Sequence, residues 1–257
     1  MTSLSILLNN MKLEEYLKVI EKFVSDYLVS SKMDRYVLGL SGGVDSSLVA
    51  AICKHAVGKD KLTCIAMPID SIPEDLNDAK EVARQLDVNL IVIDGSEIFH
   101  SAKKEFENIG EELDTSTLSN LKVRIRMSIL YAYAQKYRGL VIGTDNADEK
   151  YTGYFTKYGD GGVDLLPIAH LLKREVMEAC RLYGLEDRLA FRTPSAGLFH
   201  GQTDEADLGV TYEELDNYLL GKKIAPKSQE RIEYLHRISE HKRAPIPMPE
   251  GFKRDEE

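Results

Sequence analysis

The chain has 257 residues, with 42 Asp plus Glu, 33 Lys plus Arg and 43% hydrophobic residues. That size and balance suit a folded protein with a core large enough for a sheet covered on both faces, and they exclude disordered and collagen-like classes. The net charge of -9 opposes nucleic-acid backbones as the main partner.

No apolar run reaches the roughly 18 residues that span a bilayer, and the opening MTSLSILLNNMKLEE lacks a basic secretory start. A cytoplasmic protein with neither a nucleic-acid nor a membrane partner is expected. Leu13, Leu17, Ile20, Val24 and Tyr27 recur at steps of three and four, which predicts an amphipathic helix over residues 10–30. Tyr36 to Leu40 reads as a short strand, Ser41-Gly42-Gly43-Val44-Asp45-Ser46 as a glycine turn, and the residues to about Val57 as a helix. Residues 61–67 read as a second strand, 74–87 as a helix with Ala79, Val82, Ala83 and Leu86 inward, and 89–93 as a third strand. A helix over 118–138 carries Leu118, Leu121, Ile125, Ile129 and Ala132 on one face, and Gly139 to Ile142 gives a further buried strand.

This alternation predicts one α/β domain over residues 1–257, a doubly wound parallel sheet with helices on both faces. The stretch from Thr144 to Pro167 shows no periodicity and is expected as a long functional loop. A helix at 173–183, a second irregular stretch, helices near 211–220 and 227–240 and an extended tail follow. From about residue 190 they form a C-terminal extension of the same domain. Cys53, Cys64 and Cys180 sit at apolar positions and are expected in the core. Neither cysteines nor histidines have metal-ligand spacing, so any metal is expected on oxygen.

The glycine turn joins a buried strand to a helix, so free backbone N–H groups and the positive helix end converge there as an anion site. Ser41, Ser46 and Ser47 add hydroxyls. A carboxylate at Asp45 would repel phosphates unless a divalent cation lay between, which points to Mg²⁺ and ATP. The Walker A pattern is absent, so cleavage at the γ-phosphate is not required.

SGGVDS after a strand resembles the pyrophosphate loop of the N-type ATP pyrophosphatases, which split ATP into AMP and pyrophosphate while adenylating a substrate oxygen. Within that superfamily, Gly143-Thr144-Asp145-Asn146 with Glu149, TGYFTKYGDGG with Asp164, Lys173-Arg174, PSAGLFHGQTDEADLG and His241-Lys242-Arg243 are similar in order and spacing to NAD synthetases. The resemblance, which spans nearly the whole chain, implies an adenine-nucleotide alpha-hydrolase-like fold. The implied activity is ammonia-dependent amidation of deamido-NAD, a ligase reaction. It assigns ATP to Gly39, Leu40, Ser41, Gly42, Gly43, Val44, Asp45, Ser46, Ser47, Thr144, Lys173 and Ser195, where many members carry Thr. Mg²⁺ falls to Asp45 and Glu149. Deamido-NAD falls to Arg124, Lys157, Asp164, His241 and Lys242.

By spacing alone most of these charges read as solvated surface groups. In the implied mechanism the nicotinate carboxylate attacks the α-phosphorus, with Asp45 and Lys173 serving the departing pyrophosphate. Asp164 is the expected base for ammonium. A separate glutaminase domain finds no room in this length, so free ammonia is the expected nitrogen donor. A homodimer with the substrate site at the interface is also implied. Two alternatives stand beside this reading: another adenylating pyrophosphatase, such as a GMP synthetase ATPase subunit, and a non-catalytic adenine-nucleotide sensor.

Overall fold

Short apolar runs alternating with helices assemble as expected into one parallel sheet. A computed structural model describes residues 11–191 and 203–252. Its first half runs α1 (Leu13–Ser30), β1 (Arg35–Gly39), α2 (Val44–Val57), a 3₁₀ turn (Lys59–Lys61), β2 (Leu62–Ala66), α3 (Pro73–Leu86), β3 (Leu90–Val92), α4 (Ser96–Asn108), α5 (Thr115–Lys136) and β4 (Gly139–Val141). The strands lie in the order β3-β2-β1-β4, with Tyr36 of β1 registered against Leu62 on one side and Leu140 on the other.

The chain steps outward from β1 to β3 and then returns to the far side of β1. The connections after β1 and β4 therefore diverge, and a crevice opens between them at the carboxyl ends of the strands. Successive residues of β1 face opposite sides: Tyr36 and Leu38 join the core under α1 and α2, whereas Val37 joins Ile65, Met67, Val141 and Ala134 under α5. Burial on both faces explains why these strands read as continuous apolar runs.

The second half contains α6 (Ala147–Thr152), α7 (Lys173–Leu182), α8 (Asp187–Ala190), α9 (Asp204–Leu208), α10 (Tyr212–Leu219), α11 (Pro226–Ile238) and α12 (Glu240–Arg243). Val176, Ala179 and Cys180 bring α7 into the α1–α2 core. A small separate core of Leu208, Val210, Tyr212, Leu215 and Ile232 packs against Tyr151 and Tyr154. All three cysteines are buried, as expected. No described helix is long and apolar enough to cross a membrane.

Three local expectations are corrected, and helix α4 is added where none was expected. The stretch after Gly143 contains α6, whose N-cap Asn146 accepts the amides of Asp148 and Glu149 while Glu149 accepts the Asn146 amide. This capping box fixes a helix too short to show a period. Helix α4 buries only Phe99, so it presents no stripe to the eye. On α5, Ala132 is exposed and Ala134 buried instead, because apolar residues encircle that helix. The tail is not wholly extended: His241 and Lys242 lie on α12.

The C-terminal helices close over the end of α6. Arg243 donates to Tyr151 O at 3.1 Å, Ser239 Oγ to Thr152 O at 3.0 Å, and Lys242 Nζ to Gly153 O at 2.7 Å. Gly153 caps α6 at φ 69°, and an added Cβ would collide with the side chain of Ser239. Gly153→Ala is therefore expected to cost about 2 kcal/mol or more, through overpacking and a left-handed backbone. A lowered urea midpoint at unchanged slope would report it.

Candidate active site

β1 ends at Gly39 and α2 begins at Val44, so the chain turns sharply through Ser41–Gly43. Gly42 makes the turn at φ +85°, packed against the backbone of α3. The serine hydroxyls brace the turn. Ser41 Oγ accepts the Gly43 amide at 3.2 Å and lies 3.1 Å from Ser46 Oγ, while Ser46 and Ser47 donate to Gly43 O at 3.0 and 2.8 Å. The hydroxyls thus hold the turn in shape at the positive end of α2, which favours an anion.

Lys173, the first residue of α7, reaches the switch point from the other side. The side chain is 2% exposed, and its Nζ lies 2.7 Å from Asp45 Oδ2 and 3.2 Å from Glu149 Oε1. Asp45 also accepts from Asn146 Nδ2 at 2.8 Å. Three residues from distant segments therefore meet as a carboxylate–ammonium–carboxylate group. Burial alone would lower the lysine's pKa, but the charges of Asp45 and Glu149 outweigh it and raise it. Burial, reinforced by Asp45, pushes the Glu149 carboxyl up to about 8, with Lys173 offsetting only part.

These residues line a cavity of about 720 Å³ together with Gly39, Leu40, Ser41, Gly43, Val44, Ser46 and Thr144. Gly42 and Ser47 stand behind this wall. Sequence reasoning missed several of its neighbours. Asp204 accepts from Tyr212 and Tyr154 hydroxyls at 2.9 and 3.2 Å, and Arg126 donates to Met67 O at 3.0 Å and Ser71 Oγ at 3.2 Å. Asp204 stands inside a quoted motif but had no assigned role. The spacing Asn146-x-x-Glu149 was a legible capping signal.

The residues that the resemblance gave to deamido-NAD mostly converge. Arg124 Nε donates to Lys157 O at 3.2 Å, and Lys157 Nζ donates to His241 O at 2.8 Å. Lys242 donates to Gly153 O and Phe155 O at 2.7 and 2.6 Å and lines the cavity. Arg124 and His241 are exposed, which leaves this basic patch open to solvent.

Asp164 does not join them. It is exposed and off the cavity wall, where its carboxylate accepts the Val141 amide at 2.7 Å and the Tyr131 hydroxyl at 3.2 Å. That geometry supports the end of β4. Ser195 lies outside the described residues. Among the described residues no three His, Cys, Asp or Glu side chains cluster to hold a metal. A cation here has two protein carboxylates, Asp45 and Glu149, already closed around one positive charge.

Comparison with known proteins agrees with this geometry. The NAD synthase family model matches residues 16–246. The NH(3)-dependent NAD(+) synthetase of Mesoplasma florum is 42% identical over 244 residues, covering 95% of this chain and 100% of that one. Among solved structures, the NMN synthetase from Francisella tularensis superposes with a TM-score of 0.88 at 36% identity, covering 93% of this chain and 99% of that one. The NH3-dependent NAD synthetase from Campylobacter jejuni gives 0.76 at 28% identity, covering 95% and 100%. Neither the GMP synthetase subunit nor the sensor is favoured by these matches. Matched by the family model over residues 16–246 and by a 42% identical relative over 95% of its length, the chain belongs to the NAD synthase family.

Proposed function

We propose that the protein is a carbon–nitrogen ligase that amidates deamido-NAD with ammonia, converting ATP to AMP and pyrophosphate. The observation that carries this reading is the Lys173 ammonium held between Asp45 and Glu149 beside an anion-binding turn. A carboxylate is a poor acyl electrophile, so one of its oxygens must become a leaving group. In the first step a nicotinate oxygen attacks the α-phosphorus, the bond to the β-phosphate oxygen breaks, and pyrophosphate departs toward the Gly39–Ser47 amides. Lys173 offsets the developing charge as a point cation. Thr144, and Ser195 beyond the described residues, add hydroxyls for ATP. Ammonia then attacks the acyl carbon, AMP leaves, and the nitrogen gives up a proton. Arg124, Lys157, His241 and Lys242 orient the acceptor.

Asp45 and Glu149 fit a divalent cation because both direct an oxygen at the same point, held here by the Lys173 ammonium. Mg²⁺ held by Asp45 and Glu149 would neutralise phosphate charge there, beside Lys173 Nζ.

The whole chain serves as one domain in this reading, in the cytoplasm. The exposed Arg124 and His241 suit a homodimer in which a second subunit completes the acceptor site, and a monomer mass by light scattering would refute that arrangement. A second acceptor is favoured by one observation, the TM-score of 0.88 to an NMN synthetase against 0.76 to an NAD synthetase. Nicotinate mononucleotide carries the same reacting carboxylate and would yield NMN. Initial rates with each acceptor, ATP, Mg²⁺ and either ammonium or glutamine decide the matter. Higher kcat/KM for deamido-NAD, with ammonium only, is the expected result. A reversed preference establishes the mononucleotide reading, and failure to form AMP with either acceptor refutes both.

A further inference from the structure

Among the described residues three cationic side chains line the cavity, Lys173, Lys242 and Arg126. The first two are engaged by the protein. Lys173 Nζ lies between Asp45 and Glu149, and Lys242 Nζ donates to Gly153 O and Phe155 O. Arg126, on α5, is half-buried and differs from both. Its Nε donates to Met67 O at 3.0 Å and its Nη2 to Ser71 Oγ at 3.2 Å, which ties α5 to the loop after β2. Among the described residues Nη1 has no hydrogen-bond partner, and no carboxylate forms an ion pair with the guanidinium. A fixed guanidinium in a cavity wall with an unused donor edge suits an anion that the chain does not supply.

Its place in the fold narrows which anion. Arg126 lies one helical turn before Leu130, and a Cβ on Gly39, the last residue of β1, would meet Met67 Cε at 3.3 Å and Leu130 Cδ1 at 3.4 Å. The guanidinium therefore stands beside the start of the anion-binding turn, on the α5 face of the sheet, whereas Lys173 arrives from the α1–α2 face. In the amidation the β- and γ-phosphates depart toward Lys173, but the α-phosphoryl group stays through both steps. Its oxygens gain charge as the nicotinate oxygen attacks, and it leaves as AMP with the electron pair of the acyl C–O bond once ammonia has added. A cation on the departing pyrophosphate does not cover the group that stays.

We propose that Arg126 is a further catalytic residue, whose Nη1 holds the α-phosphoryl oxygens of ATP and of the acyl-adenylate while Nε and Nη2 keep it fixed on Met67 and Ser71. The assignment rests on the amidation reading of the site, yet affinity for a 5′-phosphate needs no turnover and is tested apart from it.

Titration calorimetry of the full-length protein with AMP, adenosine and pyrophosphate provides the test, with amidation kinetics in parallel. AMP should bind the wild type about tenfold tighter than adenosine or more, the increment of a charge-assisted hydrogen bond. In Arg126→Gln, whose amide can still donate to Met67 O, that preference should fall to about twofold or less, and kcat about a hundredfold. Adenosine and pyrophosphate affinities should each stay within about twofold of wild type, since neither carries an α-phosphoryl group on a nucleoside. Arg126→Lys keeps a point charge without the fork and should retain only part of the AMP preference. Equal binding of AMP and adenosine by the wild type overturns the proposal. Equal loss of adenosine and AMP affinity in the variants also overturns it, leaving Arg126 as a brace for the loop after β2. So does an AMP preference that survives in Arg126→Gln; a raised acceptor KM in that case would give the guanidinium to the nicotinate carboxylate instead. Should Arg126→Gln fail to fold, Arg126→Lys decides by the same comparison, and failure of both to fold would make Arg126 a structural residue and overturn its catalytic role. Absence of amidation by the wild type would strike the proposed function, while the AMP-to-adenosine ratio still judges Arg126.

Discussion

Lys173→Met is expected to lower kcat by about a thousandfold and to destabilise the protein at the same time. Loss of one preorganised charge contact to a transition state costs about 10²–10³ in rate, and Lys173 is also the cation that holds Asp45 and Glu149 together. Removing it leaves two largely buried carboxylates side by side without their counterion, a defect that costs about 3–5 kcal/mol. At about 2–4 °C per kcal/mol for a chain of this size, the melting temperature should fall by about 10 °C. Mg²⁺ should recover more of that loss in the variant than it adds to the wild type, since the vacated position lies between the two carboxylates. Lys173→Arg should not rescue: a planar five-donor fork cannot replace a compact ammonium in a site 2% exposed. Steady-state kinetics and calorimetry with and without Mg²⁺ provide the check. Full activity of the Met variant would remove Lys173 from the chemistry.

Gly42→Ala should be the most damaging small change in the turn. Its φ of +85° disfavours any side chain, and the new Cβ would stand 2.7 Å from Asp75 O and 2.9 Å from Ala79 N, both backbone atoms of α3. Backbone cannot swing aside as a flexible side chain does, so the turn itself must move. Displacement of a phosphate cradle by about 1 Å corresponds to roughly a hundredfold loss in kcat/KM. The adjacent glycine supplies the contrast. Gly43 has φ −75°, and a Cβ there would meet only Ser41 Oγ at 3.3 Å. Gly43→Ala should hold stability within about 1 kcal/mol of wild type. Equal melting temperatures and equal ATP affinities for the two variants would refute this division of roles.

The fold was legible because each strand of the sheet is a short apolar run followed by a helix, a pattern that only a parallel sheet with covered faces satisfies. Helices α4 and α6 were not, the first burying a single residue and the second lasting six residues, too few for a period. In the site, Asp45 was legible as a carboxylate placed against an anion-binding turn. Lys173 read equally well as an exposed helix lysine until the fold carried the start of α7 into the crevice. Asp164 took its expected role from the matched motif alone, and no local pattern announced that its oxygens accept the Val141 amide and the Tyr131 hydroxyl. Asp216 sits in the acidic run Glu213-Glu214-Leu215-Asp216, which reads as solvated surface, and its burial depends on α10 reaching α7. Pairings across distant segments are tertiary facts, and no local pattern encodes them.

Transfer of oxygen from the acceptor to AMP tests the proposed chemistry most directly. Deamido-NAD labelled with ¹⁸O in the nicotinate carboxylate is incubated with the protein, ATP, Mg²⁺ and ammonium, and the AMP is examined by mass spectrometry. Activation through an acyl-adenylate predicts one labelled oxygen in every AMP formed, with the other retained in the amide of NAD. AMP free of label alongside labelled NAD would show that the carboxylate never bonded to the α-phosphorus, and would contradict the mechanism assigned to the Lys173 site.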